Sequence, residues 1–162
     1  MKAIGSSALG RVADLGALFL RIGVGLVFAM HGWQKFDNGV SNFAPVLAGL
    51  DVPAPDVVAW LMTIAEGIGG LLLIVGLLTR LVTLPLIAIM VGAIVLVKFD
   101  VGFIVADAAG AELDTALLAG LLALLFIGPG RLSVDGALGL EGATAPVSAH
   151  TRPSRSEGRA AA

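Results

Sequence analysis

The chain has no cysteine and few charged residues, and the two absences exclude different kinds of protein. Without cysteine it has no disulfide, no thiolate metal site and no dithiol redox pair of its own. Asp, Glu, Lys and Arg make up 14% of its 162 residues, whereas they make up about 25% of an average soluble domain. Hydrophobic residues make up 57%, and the mean hydropathy is +0.98. A soluble domain of this length keeps about a third of its unfolded surface wet, so the composition predicts one domain in a lipid bilayer.

The sequence also lacks a basic surface and the motifs of several catalytic classes. The net charge is −2 and the pI is near 5.5, which argues against a nucleic-acid partner. Neither GxGxxG nor GxxxxGK[ST] occurs, so no nucleotide site is expected. His150 lies close to the end of the chain, which leaves His31 as the histidine of the apolar part. A bis-histidine haem, a histidine–carboxylate zinc triad and a Ser-His-Asp nucleophile therefore lack parts, and no metal is expected.

Four apolar runs fill most of the chain, at residues 15–30, 57–78, 81–97 and 115–127. A helix needs about 20 residues to cross about 30 Å of hydrocarbon. The second run reaches that length alone, and the others reach it with their flanks. The runs do not alternate between polar and apolar residues, as the strands of a membrane barrel would. The sequence therefore predicts an all-α integral membrane protein, a bundle of four transmembrane helices at about residues 15–33, 57–78, 81–98 and 111–127.

The segments around these helices complete the predicted organisation. Residues 15–138 form the membrane domain, residues 1–14 a cytoplasmic N-terminus, and residues 139–162, rich in Ala, Ser, Pro and Arg, a disordered cytoplasmic tail. Thr79–Arg80 is predicted to be a tight turn that makes helices two and three an antiparallel hairpin. Asp56, which follows Pro53-Ala54-Pro55, is predicted to cap helix two.

The distribution of positive charge predicts the orientation. Eight of the ten Lys and Arg residues lie on, or nearest to, the side that holds both termini, and only Lys35 and Lys98 lie in the opposite loops. The positive-inside rule then places both termini in the cytoplasm. The alternative interpretation is a signal peptide, with Lys2 and Arg11 before the apolar run and a cleavage site at Val27-Phe28-Ala29. An intact mass without residues 1–29 would establish that alternative.

Two charged residues fall inside the apolar runs, where each needs a partner or a use. Glu66 lies near the middle of the second run. It is predicted either to take up and release protons in an internal cavity or to form a buried ion pair, most simply with Arg21. Arg21 lies about two turns inside the cytoplasmic boundary. It is long enough to reach the membrane surface, or it serves as a structural partner.

More polar residues collect at the outer end of the predicted bundle. His31 and Lys35 are four residues apart and share one face of helix one, Lys98 ends helix three, and Glu112 and Asp114 begin helix four. Interfacial anchoring and the helix dipole explain each placement singly. Together, the residues suggest a polar vestibule with Glu66 beneath it. In that hypothesis Glu66 and His31 handle protons, and the substrate contacts are Lys35, Lys98, Glu112 and Arg21.

Several segments also resemble one protein family. RIGVGLVFAMHGWQK at residues 21–35 resembles the first-helix signature of the DoxX family. EGIGG at 66–70 and GLLTR at 76–80 resemble that family's second helix and cytoplasmic turn. Glu112 and GPGRLSVD at 128–135 resemble its closing segment. The resemblance runs in order from about residue 15 to 138, and it highlights Arg21, His31, Lys35, Glu66 and Glu112.

The resemblance implies a small four-helix protein of the bacterial inner membrane. The family takes its name from a subunit of a thiosulfate:quinone oxidoreductase, and some relatives are linked to membrane oxidoreductase complexes acting in thiol and oxidative stress. The leading hypothesis is thus a membrane subunit or module of a redox complex, which binds a diffusible quinone or a small sulfur oxyanion and contacts redox partner proteins. The lack of cysteine argues against direct thiol exchange. The alternative is a non-catalytic scaffold or a small-solute permease, and both enzymatic activity and homo-oligomerisation stay open.

Overall fold

The computed structural model describes residues 5–99, 101–105 and 110–140, and each secondary-structure element in these ranges is helical. A π-helical turn at Ile94–Lys98 extends the fourth α-helix, and a 3₁₀ turn occupies Val40–Asn42. The α-helices are α1 (Gly5–Asp37), α2 (Ala44–Ala48), α3 (Pro55–Val75), α4 (Thr79–Ala93), α5 (Glu112–Ile127) and α6 (Val134–Leu138).

Three helical segments are long and apolar enough to cross a membrane: Gly10–Asp37, Pro55–Val75 and Thr79–Lys98. α5 has 16 residues, which span roughly 24 Å at 1.5 Å per residue, and it is shorter than the usual spanning length. The predicted all-helical architecture is therefore confirmed for the described residues. Three of the four predicted spans meet the required length and hydropathy.

The four long helices pack in a ring around one apolar core. α1 packs most extensively against α3, α3 against α4 and α4 against α5, while α5 returns to α1. Outward-facing apolar side chains are exposed, for example Phe19, Leu61 and Phe126, as expected where lipid replaces water. The buried core consists of Val24, Phe28, Leu73, Val82, Leu86, Met90, Leu117, Leu121 and Leu124.

Glycine allows α1 and α3 to approach closely at the height of Glu66. A Cβ on Gly32 would overlap the backbone of Gly67, and a Cβ on Gly70 would lie 2.6 Å from the carbonyl oxygen of Gly25. Both clashes involve backbone atoms, so no side-chain rotation relieves them. Small residues bring membrane helices together in this way. The contact fixes α1 beside the central part of α3, where the charged residue lies.

Replacing Gly70 by Ala is expected to separate these helices and to destabilise the protein by about 1–3 kcal/mol, the usual cost of overpacking. Gly23 provides the matched control, because it lies on the same pair of helices but a Cβ there would meet no atom within 4 Å. Gly23→Ala is expected to be neutral or slightly stabilising, since Ala favours helix more than Gly does. Thermal unfolding in detergent measures both variants; equal melting temperatures would contradict the close approach.

The turn between α3 and α4 lies earlier than the sequence predicts. It occupies Gly76–Leu78, and Thr79 already begins α4, so the predicted turn at Thr79–Arg80 is wrong. Gly76 has φ 72°, and the Leu77 amide donates to the Leu72 carbonyl at 2.9 Å. This is the Schellman arrangement, in which a left-handed residue ends a helix.

Two helix starts also differ from the prediction. α3 begins at Pro55 after left-handed Ala54, so Asp56 lies in the first turn and is not the cap. Proline favours the first helical position because it has no amide hydrogen to leave unpaired. α1 begins at Gly5, ten residues before the predicted start, and extends to Asp37, where Gly39 with φ 85° follows. Residues 1–4 and 141–162, the latter including most of the predicted tail and His150, lie outside the described residues.

The segment after α5, residues 128–140, folds back onto this turn and is called the closing segment below. Asp135 is fully buried and accepts hydrogen bonds from the Leu78 and Thr79 amides at 2.8 and 2.9 Å. Its own amide donates to the Gly76 carbonyl at 2.9 Å. Asp135 therefore caps α4 from a distant part of the chain. Asp14 connects the closing segment to α1, since its Oδ1 accepts a hydrogen bond from the Arg131 amide at 2.9 Å.

Candidate functional site

Glu66 and Lys35 form an ion pair inside the bundle. Lys35 lies near the C-terminal end of α1 and reaches toward α3, where its Nζ contacts Oε2 of Glu66. The Glu66 side chain is 3% exposed and that of Lys35 is 17% exposed. Among the described residues, Glu66 has one hydrogen-bond and ion-pair partner, which is Lys35. The buried carboxylate thus depends on one ammonium group that is itself partly accessible.

The Phe43 ring lies against the same ammonium group. Its centroid is 5.1 Å from Nζ of Lys35, within the range of a cation–π interaction. Phe43 is held there because the 3₁₀ turn and α2 pack on the start of α3 through a small apolar cluster. That cluster comprises Val40, Ala44, Leu47 and Ala59, with Phe43 packed against it.

A cavity of about 310 Å³ opens beside Lys35 at the end of the bundle where α1 ends and α3 begins. Amide side chains dominate its polar lining, and Asn42 Nδ2 donates to the Asn38 carbonyl at 2.7 Å. These groups offer several hydrogen-bond donors around one positive charge. The lining residues are Gln34, Lys35, Asn38, Gly39, Asn42 and Phe43.

Arg21 does not pair with Glu66, so that predicted ion pair is wrong. Arg21 is fully buried rather than extended to the surface, and it donates to the carbonyls of Leu132 at 2.5 Å and Ile74 at 3.4 Å. Ile74 lies eight residues beyond Glu66 on α3, which is about 12 Å along the helix. Asp135 is the nearby charge that acts on Arg21. Arg21 belongs to the contact between the closing segment and the α3–α4 turn.

The other predicted vestibule residues do not join the Lys35–Glu66 pair. His31 is exposed, and its Nδ1 lies 2.9 Å from the Val27 carbonyl on its own helix. Lys98 ends the π-helical turn, and Glu112 and Asp114 occupy the first turn of α5. Of the predicted site residues, the structure brings Lys35 and Glu66 into direct contact.

The sequence analysis does not predict several groups of the site. Gln34, Asn38 and Asn42 follow one another at four-residue spacing beside Lys35, and this spacing is the signal that was available. Phe43 had no such signal, because its place depends on the packing of the 3₁₀ turn and α2. Asp135 appeared only as part of a resembling motif, although its burial makes it a principal link between the closing segment and the α3–α4 turn.

The geometry defines what chemistry the site can perform. One ammonium group and three amides can bind a ligand rich in oxygen acceptors, and the carboxylate behind the ammonium can hold a proton. The described residues contain no group of three or more His, Cys, Asp or Glu side chains placed to hold a metal ion. The arrangement therefore suits binding and proton handling by these side chains.

Comparison with known proteins identifies relatives of the chain. The model of the DoxX family matches residues 16–99. "Uncharacterized membrane protein Rv3486" of Mycobacterium tuberculosis (strain ATCC 25618 / H37Rv) is 39% identical over 129 residues, covering 72% of this chain and 77% of that protein. "Putative oxidoreductase CatD" of Bacillus subtilis (strain 168) is 31% identical over 122 residues, covering 75% and 86%. No solved structure shows significant similarity.

Proposed function

Because the chain belongs to the DoxX family of membrane proteins, we propose that it is the membrane module of a redox complex and that the cavity beside Lys35 is its ligand site. The ligand is a quinone headgroup or a small sulfur oxyanion. Lys35 and the amides bind its oxygen atoms, and Glu66 accepts or releases the accompanying proton. His31, at the bundle surface nearby, is the second candidate for proton transfer.

The observation that carries this proposal is the placement of the Lys35–Glu66 pair. Replacing a buried ion pair by well-packed apolar side chains is often neutral or stabilising, so stability alone is a weak reason for such a pair. Here Lys35 both contacts a buried carboxylate and lines a cavity, whose other lining residues are three amides, Gly39 and an aromatic ring. A cavity with a few polar groups converging on it is a candidate binding site.

Support for a redox role comes from one of the two relatives. The name of the Bacillus subtilis protein points to an oxidoreductase. The present chain has no cysteine and no recognisable cofactor motif, so electrons would pass through a diffusible carrier or through redox partner proteins. A module that binds the carrier fits this composition.

The proposed membrane arrangement has four spans with both termini in the cytoplasm of a bacterial inner membrane. In this proposal α5 with its flanks is the fourth span, which its packing against α4 and α1 supports. The charge distribution supports the orientation, because most cations lie at the α3–α4 turn and the chain termini. The cavity then faces the outer side of the membrane.

Thermal unfolding of the purified protein tests the ligand site. A short-chain quinone and thiosulfate are the probes, and binding of either to the folded protein raises its melting temperature. Lys35→Met is expected to abolish the shift, and Glu66→Gln is expected to alter its size, because it changes the charge behind the ammonium. Gly23→Ala serves as a matched control, since it lies on α1 away from the cavity.

The outcome also separates this proposal from the scaffold or permease alternative. A shift that is identical in the wild type, Lys35→Met and Glu66→Gln would locate the ligand elsewhere. No shift with any probe would favour a non-catalytic scaffold that uses its surface for partner proteins.

A further inference from the structure

We propose that binding of an anion at Lys35 is coupled to the uptake of one proton by Glu66; this inference rests on the ligand site proposed above. The Lys35 ammonium contacts Glu66, and Lys35 is also one of the residues that line the cavity. The remaining lining residues of the cavity are uncharged. An anion that enters it therefore meets Lys35 as the positive group.

The charge balance of the site supplies the coupling. Without a ligand, one ammonium and one carboxylate make the pair electrically neutral. A bound anion shares the ammonium with Glu66 and leaves the group with net negative charge. Glu66 is almost fully buried and has no second partner among the described residues. A buried charge without compensation is costly, and such a group responds by becoming neutral.

Among the described residues, no neighbouring titratable group is placed to replace Glu66 as the proton acceptor. On α1, His31 and Asp37 are exposed, the His31 Nδ1 lies 2.9 Å from the Val27 carbonyl, and Arg21 contacts Leu132. Asp51, between α2 and α3, is exposed as well. On α4 the charged residue is Arg80, at the start of the helix, and Lys98 beyond it has a partner of its own. The 3₁₀ turn and α2 contain no titratable side chain. Asp56 lies ten residues from Glu66 at the start of α3.

Thiosulfate binding to the full-length protein in detergent or nanodiscs tests the coupling, because this anion binds no proton at neutral pH. An indicator dye in weakly buffered solution is expected to report about one proton taken up per thiosulfate bound. The apparent affinity is expected to fall about tenfold for each unit of pH increase across the neutral range, because one proton enters with the anion. A neutral quinone is expected to bind without proton uptake.

Glu66→Gln is the decisive variant, because Gln keeps the shape of Glu and removes its charge. It is expected to bind thiosulfate without proton uptake and with an affinity that does not change with pH. Wild-type binding that depends on Lys35 but is equally independent of pH would overturn the coupling and leave the ligand site standing. If thiosulfate does not bind, or if Lys35→Met binds it as well as the wild type does, the anion site itself is refuted, and the coupling with it.

Discussion

Lys35→Met is expected to destabilise the protein by about 3–5 kcal/mol, the cost of leaving one partner of a buried ion pair unpaired. Met has nearly the size of the Lys side chain but no charge, so the packing against Phe43 is kept. Glu66, which is 3% exposed, then has no counter-charge among the described residues. Unfolding in detergent can be followed by the fluorescence of the two tryptophans, Trp33 and Trp60.

The double variant Lys35→Met/Glu66→Gln separates charge from packing. It is expected to recover most of the lost stability, because no charge stays buried. Glu66→Gln alone is expected to cost less than Lys35→Met, since the partly exposed Lys35 can direct its ammonium into the cavity. If the double variant were as unstable as Lys35→Met, the loss would come from packing, and the ion pair would not be the reason.

Asp135→Ala is expected to cost a similar amount, about 3–5 kcal/mol, because it removes a buried charge that several groups share. The Leu78 and Thr79 amides lose their acceptor at the start of α4. Arg21, fully buried, loses the negative charge that acts on it. The same fluorescence measurement follows the change, and ligand binding by the folded fraction is expected to persist, since the cavity lies at the opposite end of the bundle.

Asp14→Ala is the matched control for Asp135→Ala. Asp14 also binds the closing segment, but through a single hydrogen bond to the exposed Arg131 amide. Its loss is expected to cost about 0.5–1.5 kcal/mol, the ordinary value of one hydrogen bond. Equal losses in the two variants would mean that the burial of Asp135 adds nothing to its role.

Hydropathy and charge distribution were sufficient to predict the helical architecture, because lipid requires long apolar helices with internally satisfied backbones. The sequence indicates Glu66 because an ionisable residue in an apolar run stands out, and Lys35 because it shares a helix face with His31 at the outer end of helix one. Their pairing was not predicted. Either Arg21 or Lys35 could pair with Glu66 by charge. Which of them does so depends on the relative position of α1 and α3 along their axes.

That relative position is set by contacts between glycines of α1 and α3. These residues are far apart in the sequence, so local sequence patterns do not predict the contacts. Gly32 lies against Gly67 and Gly70 against Gly25, and this register brings Lys35 to Glu66. The cap supplied by Asp135 was missed for a related reason. Its partners lie 56 and 57 residues earlier in the chain, and a contact of that kind depends on the complete fold.

Labelling of an introduced cysteine tests most directly whether the cavity is a ligand site on the outer side of the membrane. The chain has no native cysteine, so Asn42→Cys, in the cavity lining, is the single reactive thiol, and Arg11→Cys marks the opposite end of α1. In right-side-out vesicles, a membrane-impermeant maleimide is expected to label Asn42→Cys and not Arg11→Cys, and thiosulfate or a short-chain quinone is expected to slow the labelling. Labelling of Asn42→Cys only in inside-out vesicles, or labelling that neither probe slows, would contradict the account.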